Sequence, residues 1–91
     1  MPQWTPEALQ DLDAIFAYIA ADNPDAAAEV AEQVAEACGR LDVFPLLGRA
    51  GTASDTRELV LPRIPYLVVY QLLDGVPSIL RVLHAKMRWP I

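Results

Sequence analysis

Apolar residues in the first half of the chain recur at steps of three and four. Leu9, Leu12, Phe16 and Ile19, with Ile15 beside them, make one helical stripe, and Asp11, Asp13 and Asp22 fall off it. Thr5-Pro6-Glu7 is a helix start: Thr5 can cap, Pro6 suits the first helical position, and Glu7 favours the positive dipole end. A second stripe follows, made of Ala27, Val30, Ala31, Val34, Ala37, Cys38, Leu41 and Phe44, with Glu29, Glu32 and Glu36 on the other side. Between them, Pro24 disfavours helical geometry at Asn23 and frees it to cap the second helix. Two helices joined by so short a turn are expected to pack as an antiparallel hairpin, with the alanines letting the axes approach.

The period changes after Pro45, which is expected to end the second helix. Residues 46–55, with Gly48 and Gly51, read as the longest loop. Residues 56–61, 66–72 and 78–84 then read as strands, separated by Arg63-Ile64-Pro65 and by the tight-turn pair Asp74-Gly75. Nearly every position of 66–72 is apolar, so both faces of that strand are expected to be covered, as in a central strand. Gln3-Trp4 has room only for a stub of strand. The predicted fold is α+β in one domain, residues 1–91. An N-terminal antiparallel helical hairpin packs on a three- to four-stranded antiparallel sheet, and a short tail, 85–91, leaves the last strand.

Charge divides the chain in the same way. Residues 1–39 hold eight acids and no Lys or Arg, whereas residues 40–91 hold all seven bases and four acids. This asymmetry points to a polyanion or a charged protein as partner for the basic half. The overall charge of −5 argues against indiscriminate nucleic-acid binding, which needs many cations to displace counterions, and leaves a local basic patch open. A hydrophobic content of 54% is high for 91 residues, and it leaves either a rich core or apolar surface for a partner.

Several chemistries have no material. Cys38 and His84 are each the only residue of their kind, so no disulfide within the chain, no cysteine metal site and no multi-histidine site is expected. Neither a metal nor a cofactor is called for. The start, MPQWTPEALQDLD, lacks the basic and apolar regions of a signal peptide, and no apolar run approaches a membrane span, which together indicate a reducing cytoplasm. Gly48-Arg49-Ala50-Gly51 lacks the strand-before-helix context of a phosphate loop, and no serine sits in a nucleophile elbow.

The concentrated polar cluster is Arg81, His84, Lys86, Arg88 and Trp89. Basic residues beside an aromatic can grip phosphate and stack a base. In a regular strand, Arg81 would share a face with Ile79 and Leu83, and His84 with Leu80 and Val82, so the two would meet only if the strand bends. A lone histidine at a strand end is more often a structural hydrogen-bonder than a base. Arg57 is expected on the side of Leu59 and Leu61, where an arginine pairs with an acid or spans to the rim, and Asp11 is a candidate partner. Tyr66 and Tyr70 share a face with Val68 and Leu72 and read as half-buried packing, while Tyr18 reads as exposed or at the rim.

WTPEALQDLDAIFAYIAADNPDAA, LDVFPLLGR, TRELVLPRIPYLVVYQL and ILRVLHAKMRWP, in this order from Trp4 to Pro90, closely resemble the ParE branch of the RelE/ParE toxin superfamily. The resemblance implies a toxin of a bacterial type II toxin–antitoxin module. It also implies an antitoxin, ParD-like or similar, whose amphipathic helical segment lies in an apolar groove and neutralises the toxin. ParE-like members are associated with blocking DNA gyrase, and RelE-like members with mRNA cleavage in the ribosome. Members usually carry a longer first strand before the Trp, and many carry an Arg two residues before the tail Trp, where Met87 stands here.

The leading expectation is a toxin that acts on gyrase by binding, with Arg57, Arg81, His84, Lys86, Arg88 and Trp89 as its contact residues. An acidic chain with one Lys suits the RNA-rich ribosome poorly, and no Tyr follows Tyr70, whereas the resemblance implies that RNA-cleaving relatives rely on basic clusters plus a Tyr, His or Glu near the C-terminal end. The alternative is a ribosome-dependent endonuclease in which Arg81 and Arg88 stabilise developing phosphate charge and His84 moves the proton. A third reading is a non-toxic module that binds only its antitoxin. No membrane contact and no sequence-specific DNA binding are expected from any of them.

Overall fold

Both helices begin where the sequence sets a cap. The computed structural model describes residues 2–86. Its elements in chain order are β1 (Gln3–Trp4), α1 (Pro6–Ala20), α2 (Pro24–Arg40), β2 (Arg49–Ala50), β3 (Arg57–Val60), β4 (Tyr66–Leu73) and β5 (Val76–His84). The Thr5 hydroxyl accepts from the Ala8 N–H at 3.2 Å, and the Asn23 Oδ1 accepts from the Ala26 N–H at 3.1 Å. Each cap is followed by proline at the first helical position, as Pro6 and Pro24 foretold.

The sheet has five strands in the order β1-β5-β4-β3-β2, which corrects the expected three or four. β1 runs parallel to β5, with Gln3 opposite Ser78 and Trp4 opposite Ile79, so the sheet is mixed and not wholly antiparallel. The stub at Gln3-Trp4 therefore pairs with the last strand of the chain, a contact that local sequence cannot signal. β2 lies inside the stretch expected to be a loop, pairing Arg49 with Glu58 and Ala50 with Arg57. The remaining ladders, β3 with β4 and β4 with β5, are antiparallel as expected. Asp74 and Gly75 both take positive φ, at 51° and 78°, as the two-residue turn between Leu73 and Val76 requires.

α2 ends at Arg40 rather than at Pro45. Hydrogen-bonded turns carry on, with Phe44 N–H donating to Arg40 O at 2.9 Å, but the side chain of Phe44 leaves the stripe and is exposed. Leu41, the C-cap, is the last residue of the stripe to be fully buried.

β4 is the central strand, and its two faces belong to separate clusters. Val68 and Tyr70 join Ile79, Val82 and Leu59 beneath Val34, Ala37, Cys38 and Leu41 of the α2 region and Ala8 of α1. Leu67 and Val69 join Leu83 on the opposite face. This two-sided burial is why the segment reads as almost uninterrupted apolar sequence. Fully burying such a Val, Leu or Ile side chain stabilises the fold by about 1.5–3 kcal/mol. Among the described residues no helix is long and apolar enough to cross a membrane.

Candidate functional site

A β-bulge in β5 decides where the predicted cations go. Tyr70 pairs with Ile79 and Val69 with Arg81, so Leu80 is an extra residue between two consecutive pairs. The bulge shifts the alternation by one. Ile79 and Val82 both face the helices, three residues apart, while Leu80 and Leu83 belong with the opposite cluster. The expected grouping of Arg81 with Ile79, and of His84 with Leu80, is thereby corrected.

Arg81 pairs with Asp11 of α1. Its Nε donates to Asp11 Oδ2 at 2.6 Å and its Nη2 to Asp11 Oδ1 at 3.0 Å. The hydrogen bond to Asp11 raises the arginine pKa further above its ordinary value, with the charges of Asp11 and Glu7 adding to it against partial desolvation. A bidentate fork of this kind is among the stronger polar contacts available to arginine. Asp11 was expected to serve Arg57, so the acid was right and the base was not.

Arg57 instead donates from Nη1 to the Gly48 carbonyl at 2.8 Å. It lines an open groove of about 570 Å³ together with Leu46, Thr56, Gln71, Leu72 and Leu73. Arg57 pairs across to Tyr70, whereas His84 pairs to Tyr66 four residues along the same strand, which separates their rows by about 13 Å. Arg57 and the end of β5 are therefore not brought into one site.

His84 closes β5. Its ring meets that of Tyr66 edge to face, with centroids 5.6 Å apart and planes at 73°. Its Nδ1 accepts the Lys86 N–H at 3.2 Å, which places the neutral ring's proton on Nε2. The Ala85 N–H donates to Pro65 O at 2.8 Å, so the end of β5 is anchored to the β3–β4 turn as well. Lys86 is exposed in the turn that follows β5. Arg88 and Trp89, the other two expected contact residues, lie outside the described residues, as does Met87.

Sequence reasoning missed the polar node under residues 45–48. Tyr70 is fully buried, and its hydroxyl donates to Pro45 O at 2.8 Å while accepting the Gly48 N–H at 2.9 Å. A phenol in a strand that reads as pure packing was the available signal, since a buried Tyr hydroxyl needs a partner. The node holds a loop whose Val43, Phe44, Leu46 and Leu47 are all exposed. Further exposed apolar side chains, Leu9 and Phe16, lie on α1.

The arrangement offers cations and apolar surface to a partner. Among the described residues no group of three or more His, Cys, Asp or Glu is placed to hold a metal ion. Cys38 is buried, and burial pushes its thiol pKa up to about 12, so it is a poor nucleophile at neutral pH.

The profile of the ParE toxin of type II toxin-antitoxin system, parDE, matches residues 3–89. Y4kP of Sinorhizobium fredii strain NGR234 is 47% identical over 88 residues, covering 97% of this chain and 91% of that protein. Toxin RelE2 of Caulobacter vibrioides is 39% identical over 82 residues, covering 90% of this chain and 91% of its own length. A chain of the chromosomal ParDE TA system from P. aeruginosa superposes with a TM-score of 0.81 at 26% identity, covering 90% of this chain and 91% of that one. The chain belongs to the ParE toxin family of type II toxin–antitoxin systems.

Proposed function

We propose that this toxin acts in the cytoplasm by binding DNA gyrase, without side-chain chemistry of its own, and that a cognate antitoxin encoded with it neutralises it. One observation carries the choice of binding over cleavage: Arg57, Arg81 and His84 are each engaged elsewhere, on Gly48 O, on Asp11, and between Tyr66 and the Lys86 N–H. A ribonuclease needs its cation and its proton carrier to converge on one phosphate. A contact surface needs no such convergence. In this reading His84 and Lys86 meet the target, with Arg88 and Trp89 as read from the sequence, Arg57 extends the contact about 13 Å along β4, and Arg81 stands in the adjacent ion pair.

The antitoxin contact has physical support in the exposed Leu9, Phe16, Phe44 and Leu46 and in the acid excess of the helical half. An amphipathic, partly basic segment that folds on binding suits such a surface. The test is supercoiling of relaxed plasmid by gyrase in the presence of the purified chain freed from antitoxin, with trapped cleavage complexes scored on the same gel. Loss of supercoiling or accumulation of cut plasmid is expected. Unimpaired gyrase with a folded chain overturns the reading. The second reading is ribosome-dependent mRNA cleavage, the activity associated with RelE-like members of the superfamily. That reading requires cut transcripts on induction that disappear in His84→Ala.

A further inference from the structure

The outer edge of β5 outruns its neighbour strand. β1 pairs with Ser78 and Ile79, and among the described residues no strand flanks residues 80–84 on that side. An unpaired edge presents backbone donors and acceptors that need partners. Here α1 and its cap supply them. The Thr5 N–H and hydroxyl donate to Ile79 O at 3.1 and 2.8 Å, and the hydroxyl also reaches Leu80 O at 3.1 Å. Less than two turns on, Asp11 Oδ2 accepts the Val82 N–H at 3.0 Å. The same carboxylate holds both nitrogens of the Arg81 fork. A side-chain oxygen thus stands where the carbonyl of an adjoining strand would be, and a cation fixes it there.

This happens at Arg81 and Val82, the two residues that follow the bulged Leu80. A bulge bends its strand and raises the local twist, so the residues beyond it need an external reference to fix their course. Beyond Val82 those residues are Leu83, His84 and the turn to Lys86. We infer that Asp11 is a positioning residue: it sets the course of β5 beyond Leu80, and with it the placement of His84 and Lys86, while Arg81 serves as its counter-ion. The consequence for target contact rests on the binding function proposed above, but the structural claim does not.

The chain has one histidine, so its imidazole gives a unique NMR signal when the protein is expressed without a histidine tag. Amide exchange at Val82 and the His84 ring signals are recorded in the full chain and in Asp11→Ala and Asp11→Asn. Asparagine keeps an oxygen for the Val82 N–H and Arg81 Nε and loses the charge. In Asp11→Ala, Val82 exchange is expected to rise by about tenfold as the edge hydrogen bond is lost, and the His84 signals are expected to move. In Asp11→Asn the amide NH2 faces Arg81 Nη2 in place of Oδ1, so both readouts are expected to shift, but by less than in Asp11→Ala, because the oxygen that accepts the Val82 N–H remains. Unchanged Val82 exchange and His84 signals in a folded Asp11→Ala overturn the inference, and so does Asp11→Asn behaving as a full loss. Should Asp11→Ala not fold, the asparagine variant decides alone. Gyrase inhibition measured on the same samples is expected to follow the His84 signals. A wild-type chain that leaves gyrase untouched refutes the proposed target, while the NMR result stands by itself.

Discussion

Replacing Tyr70 by phenylalanine removes one oxygen and leaves a fully buried ring in place. That oxygen makes two hydrogen bonds, at 2.8 Å to Pro45 O and at 2.9 Å from the Gly48 N–H. Each neutral hydrogen bond contributes about 1 kcal/mol net, and a buried N–H left without an acceptor costs about 1–3 kcal/mol. Gly48 is buried, so water does not readily replace the lost acceptor. The desolvation of the phenol itself is relieved, which offsets part of the loss. The expected cost of Tyr70→Phe is therefore about 2 kcal/mol, against a total stability of about 5–14 kcal/mol for a chain of this length. In a domain this small it lowers Tm by about 8–16 °C. Urea unfolding followed by far-UV circular dichroism reads the cost directly: the midpoint moves and the slope m stays, because the surface exposed on unfolding is unchanged. A loss below about 0.5 kcal/mol refutes the reasoning, since it would mean that the 45–48 loop holds its course without the hydroxyl.

Gly48→Ala attacks the same node from the other side. Its new Cβ would stand 2.7 Å from Tyr70 Cε1 and 3.0 Å from Glu58 O, so a destabilisation of about 1–3 kcal/mol is expected by urea titration, with strong non-additivity against Tyr70→Phe. Asn23→Ala removes the α2 cap and is expected to cost about 1 kcal/mol in the same assay, with Asn23→Gly costing only a few tenths. Cys38 is expected to resist alkylation at pH 8 in the native chain and to react rapidly in urea. Its native pKa of about 12 lies above the unfolded value, so the unfolded state loses its proton first. The stability that the protonated thiol contributes is then intact below about pH 9 and is lost as pH rises from there towards about 12, a dependence that Cys38→Ala should lack. Arg57→Ala, which frees Gly48 O, is expected to raise amide exchange in the loop around Gly48 while leaving that of β5 unchanged.

Local chemistry was legible in the sequence and distant chemistry was not. Thr5 and Asn23 cap as expected because a cap is settled within three residues, and Asp74-Gly75 turns as expected because its positive φ values are intrinsic to the pair. The apolar run in β4 announced a strand buried on both faces. Nothing in Leu80 announces a bulge, since an apolar residue fits either face and only the register against β4 singles it out. That one residue reassigned the faces of the predicted cations. Asp11 and Arg81 stand 70 positions apart, and no pattern in either neighbourhood prefers that pairing to one with Arg57. β2 escaped notice because its two residues, Arg49 and Ala50, sit between glycines and pair with a strand that begins seven residues later. Arg88 and Trp89 remain as read from the sequence.

The last strand made is the one on which the others depend. β5 sits between β1 and β4 and is clamped by α1, through contacts that join residue 5 to residue 79 and residue 11 to residue 81. During translation, residues 76–84 leave the ribosome after the other described elements. Until then the helical hairpin has no sheet edge to hold, and β4 lacks one of its two neighbours. Contacts of such long sequence separation also close late in refolding. The sheet, and the surface that it carries, is therefore absent from the chain until β5 has been made.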